Sequence, residues 1–304
     1  MRALPGDDAA LSRLQVVRRF DPALITTVLC DADGNLFPSE EPAFDASAQV
    51  TNRFLVRFGV PEQYTADQLR KSATGRNFRT TAVDFAVLGG VPIDPALASG
   101  RPYARIATSA ELAAGHALGA DELEEWVALE RRHVTARLVA TLRPDSRVQH
   151  ALGALAARYA LAAVSSSASA RLDACFTATG LDDLIPAELR FSAEDSLPVP
   201  TSKPHPAAYL HTAEVLDIHP DQGLAVEDSV AGVRSAVAAG FVTIGNLMYV
   251  PNAERGMRSS ELVDAGASAI ADSWSALTLY LLSLQASAAV SSRFRAASTG
   301  SRFR

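Results

Sequence analysis

Short apolar runs alternating with helical periodicity dominate most of this chain. Residues Leu24 to Cys30 read LITTVLC, a continuous, β-branched stretch suited to a strand buried on both faces. Similar runs recur at Leu161 to Val164, Gly223 to Val226, Val242 to Ile244 and Ala267 to Ile270. Between them the apolar spacing is helical: Val148, Leu152, Leu155 and Tyr159 share one face just before the second run. Strands separated by helices predict an α/β fold, a mainly parallel, doubly wound sheet of the Rossmann-like kind. In such a sheet the ligand site lies at the carboxyl ends of the strands.

The texture changes between residues 41 and 143, where strand-like runs disappear and helix signals follow one another. Phe44 to Phe58 stop at Gly59, Thr65 is placed to cap a helix through Ser72, and Asp121 to cap a long charged helix through Leu142. The spacing therefore predicts a helical cap of residues 41–143, inserted into an α/β core of residues 20–40 and 144–285, with Pro144 marking the return. Residues 286–304 are rich in Ser, Ala and Arg, ending SSRFRAASTGSRFR, and are expected to form a tail without structure of its own.

Composition narrows the setting. A chain of 304 residues, 48% hydrophobic, can bury a full core, and a formal charge of −6 gives no reason to expect nucleic-acid binding through the overall field. The two cysteines, Cys30 and Cys175, do not make a disulfide framework, and Cys30 ends a buried strand, where a small core residue is expected. The six histidines, His205 among them, show no paired metal spacing. Acidic Asp7 and Asp8 stand where a signal peptide needs an apolar stretch, and no long uncharged apolar segment follows. The expectation is a cytoplasmic protein without membrane or nucleic-acid partners, its oligomeric state open.

Four elements just beyond strand ends carry candidate chemistry. Asp31-Ala32-Asp33-Gly34-Asn35 sets two carboxylates two residues apart, with Gly34 able to turn the backbone sharply. One can act as nucleophile and the other as acid and base, given a cation to keep the first ionised. Ser165-Ser166-Ser167 offers hydroxyls and free amides where a strand enters a helix, a natural phosphate cradle. Lys203 supplies a fixed positive charge, and Glu227-Asp228 supplies hard oxygen ligands suited to magnesium. Each element alone is commonplace; their joint occurrence in one α/β pattern is not.

In that order the chain resembles the haloacid dehalogenase-like hydrolases, in the helical-cap subgroup of the phosphoglycolate phosphatase and β-phosphoglucomutase kind. The stretch GLAVEDSVAGVRSAVAAG, Gly223 to Gly240, is similar to the family's acidic fourth motif, and LAAVSSSASARLDACFTATGLDDL to its second. The resemblance implies that Asp31 is the nucleophile that becomes an aspartyl phosphate and that Asp33 is the general acid and base. It implies phosphate binding by Ser165, Ser166 and Lys203, and a Mg2+ ion held by Asp31, the Asp33 carbonyl, Asp228 and Glu227. Asn35 departs from the family's usual threonine, and Pro38-Ser39-Glu40 from its DSE.

The substrate implied is a small phosphorylated metabolite such as a phosphosugar. The dehalogenases and phosphonate hydrolases of the family lack a carboxylate at the position of Asp33, so its presence points to phosphate esters. A phosphosugar mutase of the β-phosphoglucomutase type is the enzymatic alternative; Ala43 stands where that resemblance would require histidine. An alternative of another class, a non-catalytic binding protein on the same fold, would be favoured by loss of Asp31, Asp33, Lys203 or Asp228, and all four are present. In the cap, Arg76 and Arg79 are candidate substrate contacts.

Overall fold

A computed structural model of the chain describes residues 14–73 and 77–283. The expected tail, the amino-terminal segment and Arg76 lie outside the described residues. The remainder divides into two compact units, one running to Pro38 and resuming at Arg143, the other spanning Ser39–Leu142.

The first unit is built on a seven-stranded sheet of order β1-β7-β6-β5-β2-β3-β4, with strands β1 (Leu14–Val16), β2 (Thr27–Cys30), β3 (Ala160–Ser165), β4 (Arg190–Ser192), β5 (Gly223–Glu227), β6 (Val242–Asn246) and β7 (Ala269–Ala271). All pairings are parallel except β1 with β7. The chain leaves β2 for β3 and β4 on one side, then crosses to β5 and β6 on the other. The reversal of direction therefore falls between β2 and β5, where open α/β sheets hold their ligands.

Burial on both faces explains why the central strands read as unbroken apolar runs. Leu29, Ala162, Val164 and Ala225 pack on one face with residues of α8 (Ala207–Leu216) and α9 (Val230–Ala238), among them Ala208, Tyr209 and Ala236. Alternation along the strands sends Val28, Cys30, Leu161 and Ala163 to the opposite face, and these too are buried. In α6 (Ser146–Ala156) Val148, Leu152 and Leu155 form the buried stripe, with buried Tyr159 just beyond it. A further helical segment, 274–283, meets α6 where Thr278 Oγ1 donates to the Ala151 carbonyl.

Several sequence expectations shift. Leu24, Ile25 and Thr26 are not part of β2. Asp21-Pro22 begins a turn, closed by Ala23 N–H on Asp21 Oδ1 and Leu24 N–H on the Asp21 carbonyl, and it leaves Leu24 exposed. The last run is paired at Ala269–Ala271 instead of Ala267 to Ile270, because Ala267 N–H is taken by the Leu262 carbonyl at the end of α10 (Arg255–Ala265). Strands β1 and β4 were not expected; at three residues each they are too short to show a period.

The second unit is helical. It contains α1 (Glu40–Arg57), α2 (Ala66–Ala73), α3 (Phe78–Leu88), α4 (Ser109–Ala113) and α5 (Ala120–Thr141) around Phe54, Leu55, Phe85, Ile93, Leu118 and Leu123. Helix α1 starts four residues before the expected Phe44, with Glu40 and Glu41 in its first turn, where the amide ends attract negative charge. Thr65 and Gln68 exchange side-chain and backbone hydrogen bonds at the start of α2. Asp121 does not cap α5: Gly119 is the capping residue, and Asp121 lies inside the first turn. Among the described residues no helix is long and apolar enough to cross a membrane.

One buried cation ties the edge of the sheet to α7 (Ser169–Thr179). Arg190 on β4 donates to Asp173 and Asp182 at 2.8 Å each and to the Ile185 carbonyl at 2.9 Å, and its guanidinium lies 4.2 Å from the Phe176 ring centroid. Arg190→Leu is therefore expected to lower stability by about 1–3 kcal/mol. The urea midpoint reads this; an unchanged midpoint would show that the cluster contributes nothing net.

Candidate active site

The carboxyl ends of β2, β3 and β5 bring the expected residues together. Cys30 is in register with Val226, and Asp31 N–H donates to the Val226 carbonyl at 2.9 Å, so Asp31 continues β2 level with Glu227. Gly34 then takes φ +77, a left-handed turn that a side chain would resist. The turn leads the chain back so that Gly34 N–H meets the Phe37 carbonyl.

Asn35, the departure from the family's threonine, is fully buried and fully used. Its Nδ2 donates to the carbonyls of Asp31 and Val226 at 2.9 Å each, its Oδ1 accepts from Asn246 Nδ2 at 2.7 Å, and its carbonyl accepts from Trp274 Nε1 at 2.8 Å. A threonine has one hydroxyl proton and could not serve both carbonyls. Asn35 thus connects the turn after β2 with β5, β6 and segment 274–283.

Lys203 is 8% exposed and its three ammonium hydrogens all have protein acceptors: Asp31 Oδ1 at 2.5 Å, Glu227 Oε1 at 2.6 Å and the Val164 carbonyl at 2.7 Å. Burial alone would lower the lysine, but Asp31 and Glu227 outweigh it and hold the ammonium above its ordinary range. Glu227 Oε1 also accepts from Tyr209 at 2.6 Å. One ammonium thus serves two buried carboxylates. Burial pushes Asp31 up to about 8, with Lys203 opposing the rise and Glu227 adding to it.

The donor set suits a divalent cation. Asp31, Glu227 and Asp228 each present an oxygen within 4.8 Å of the others' oxygens, and all three residues are buried. Glu227 Oε2 has no hydrogen-bond partner and rests against Gly232 in the first turn of α9, where a methyl group would overlap it. Three buried carboxyl groups face one buried ammonium, a set of hard oxygen ligands of the kind that divalent cations take. Arg258 donates to the Asp228 carbonyl at 3.1 Å and so steadies that turn.

The serine triplet divides its work. Ser165 Oγ accepts Ser167 N–H at 3.0 Å, Ser166 Oγ accepts Lys203 N–H at 3.1 Å, and Ser167 Oγ donates to Asp33 Oδ2 at 2.6 Å. The other oxygen of Asp33, Oδ1, accepts from Arg171 Nη2 at 2.9 Å. Sequence reasoning placed Ser167 in a phosphate cradle, whereas its hydroxyl donates to Asp33; it passed over Arg171, Tyr209, Gly232 and Arg258. A single arginine in the first turn of a helix reads as a solvated charge, and Tyr209 reads as part of an apolar helix face.

Other expected residues lie elsewhere. Cys30 is wholly buried and its thiol is raised far above its ordinary range by burial first and Asp31 second, as a core residue should be. His205 Nδ1 accepts Ala207 N–H and has no histidine partner among the described metal-ligating groups. Arg79, in the helical unit, is ion-paired with Glu124 of α5.

Comparison with known proteins agrees with this geometry. The haloacid dehalogenase-like hydrolase family matches residues 25–240. A phosphoglycolate phosphatase of Psychrobacter arcticus is 39% identical over 88 residues, 29% of this chain and 35% of that protein, so the match spans about a third of the relative's length. Among solved structures, one described as a predicted phosphoglycolate phosphatase from Haemophilus somnus has a TM-score of 0.59 at 22% identity, covering 85% of this chain and 98% of that one. A Deinococcus radiodurans family hydrolase with bound phosphate and sodium gives 0.56 at 24% identity, covering 86% and 97%. CbbY from Rhodobacter sphaeroides in complex with xylulose-1,5-bisphosphate gives 0.55 at 19% identity, covering 82% and 95%. With a family match over most of its length and that family's acidic residues gathered at the switch point of its sheet, this chain belongs to the haloacid dehalogenase-like hydrolases.

Proposed function

We propose that the chain is a magnesium-dependent phosphatase that hydrolyses a small phosphorylated metabolite through an aspartyl phosphate. The observation that carries this reading is the cluster of Asp31, Glu227 and Asp228 with Lys203 as the one close ammonium among the described residues. Bound phosphate in one related structure and a sugar bisphosphate in another support the substrate class.

In this reading an Asp31 carboxylate oxygen attacks the phosphorus of the monoester as the bond from phosphorus to the leaving oxygen breaks. Asp33 gives that oxygen a proton. Asp33 then takes a proton from a water whose oxygen attacks the phosphorus of the acyl phosphate, which releases inorganic phosphate and restores Asp31. Lys203 fixes the orientation of Asp31, and Ser165 and Ser166, at the mouth of α7, bind the phosphoryl oxygens. Asp31, the Asp33 carbonyl and Asp228 would hold Mg2+, with Glu227 coordinating directly or through water. Bound there, the ion would offset the repulsion between a carboxylate nucleophile and a phosphate dianion. The helical insertion, with Arg76 and Arg79, is proposed to discriminate between leaving groups.

Asp31→Asn should reduce phosphate release to less than about a hundredth, because an amide in the same frame is a poor nucleophile. Greater residual activity in a folded variant would refute the nucleophile assignment. Gly232→Ala should also lower turnover, by about tenfold or more, since its methyl group would displace the Glu227 carboxylate. Normal turnover with normal magnesium dependence would remove Glu227 from the working site.

Chelation should abolish activity and expose a pH dependence of stability. Asp31 is raised from 3.8 to about 8 in the metal-free protein, so between those values the folded chain keeps a proton that the unfolded chain gives up. Stability in chelator should therefore fall as pH rises from about 4 to about 8, and magnesium should restore it with proton release. Melting temperatures across that range test this; a metal-free stability that rises through it would contradict the assignment.

A further inference from the structure

The carboxylate assigned to proton transfer is held by a clasp that neither the sequence motifs nor the family match singles out. Asp33 stands at the nucleophile turn, where backbone contacts fix its main chain, but its side chain carries the chemistry and must be aimed separately. Both of its oxygens are engaged. Ser167 Oγ donates to Oδ2 at 2.6 Å and Arg171 Nη2 donates to Oδ1 at 2.9 Å. The side chains are only partly exposed, 28% for Arg171 and 22% for Asp33, so the pair is neither a solvated surface contact nor a sealed one.

The clasp is itself anchored. Ser167 N–H is bound by Ser165 Oγ, and its carbonyl accepts from Ser192 Oγ at 2.8 Å. Arg171 lies in the first turn of α7, whose Ser169 N–H is held by Asp195 Oδ2 at 2.6 Å. Behind the pair, burial pushes the Cys175 thiol up to about 12, so it stands there as a neutral neighbour. A charge-assisted hydrogen bond and a hydroxyl therefore fix the plane of the Asp33 carboxylate from a rigid helix start.

We infer that Arg171, together with Ser167, is a positioning residue that aims the Asp33 carboxyl group at the leaving-group oxygen. This rests on the phosphatase reading above and deepens it: Arg171 acts through Asp33 and does not touch the phosphoryl group. Its contribution grows with the need for a proton. An aryl oxide departs readily without one, whereas an alkoxide does not.

The test compares Arg171→Met with the unaltered protein, loaded with magnesium, on p-nitrophenyl phosphate and on an alkyl monoester that the unaltered protein hydrolyses. The quantity compared is kcat/KM, which reports transfer to Asp31 and is blind to the later hydrolysis. The loss should be about a hundredfold on the alkyl ester and within about threefold on the aryl ester. In an Asp33→Asn background the same substitution should cost nothing further on either ester. Equal losses on both esters with weakened inhibition by inorganic phosphate would make Arg171 a phosphate ligand and overturn the inference. An added loss in the Asp33→Asn background, or no loss at all, would overturn it equally.

A crystal structure of the Arg171→Met protein gives a readout independent of turnover. The Asp33 side chain should change rotamer, and its persistence in the observed one would count against the clasp. If the unaltered protein hydrolyses neither ester, the phosphatase reading is what fails, and the crystallographic result still decides whether Arg171 holds Asp33.

Discussion

A single ammonium shared by two buried carboxylates organises this site. Lys203 can donate three hydrogen bonds, and it places them on Asp31, Glu227 and a strand carbonyl. The lysine is at once the anchor of Asp31 and the limit on how much negative charge the pocket can hold. Burying two anions against one cation is costly unless another positive charge arrives. A divalent ion at the proposed site would relieve that crowding, and would draw its binding free energy from doing so.

The sheet supplies the geometry that makes such crowding possible. Asp31 and Glu227 are level because β2 and β5 are parallel neighbours in register, and Ser165 ends the strand on the other side. Backbone hydrogen bonds thus set separations that flexible side chains would otherwise avoid. Tyr209 and Gly232 complete the arrangement from α8 and α9, one donating to Glu227 and the other leaving room for it.

Much of this was legible in the sequence, for identifiable reasons. The central strands are buried on both faces, so β2, β3 and β5 stand out as apolar runs, and the polar groups at their ends, Asp31 and Asp33, the serine triplet, and Glu227 with Asp228, stand out in contrast. What was not legible depends on partners remote along the chain. The pairing of Arg171 with Asp33 links residues 138 positions apart, and no local pattern marks it. The three-residue strands at the sheet edges are half-exposed or flanked by polar residues, which hides their period. The apolar run begins three residues before β2 does, because hydrophobicity alone cannot see that Asp21 bends the chain first.

The network around Asn35 bears on the order in which the molecule can be completed. Trp274, which closes it, lies 239 residues beyond Asn35, and Asn246 lies 211 beyond. A growing chain makes Asp31 and Asn35 more than 200 residues before Asn246 and Trp274, and until then the turn that carries them lacks its last hydrogen bonds. Contacts so distant along the chain are slow to form and are gained late. The Asp31 carboxylate is therefore held in its final geometry only once the sheet beneath it has been assembled, so a half-folded chain would lack that frame.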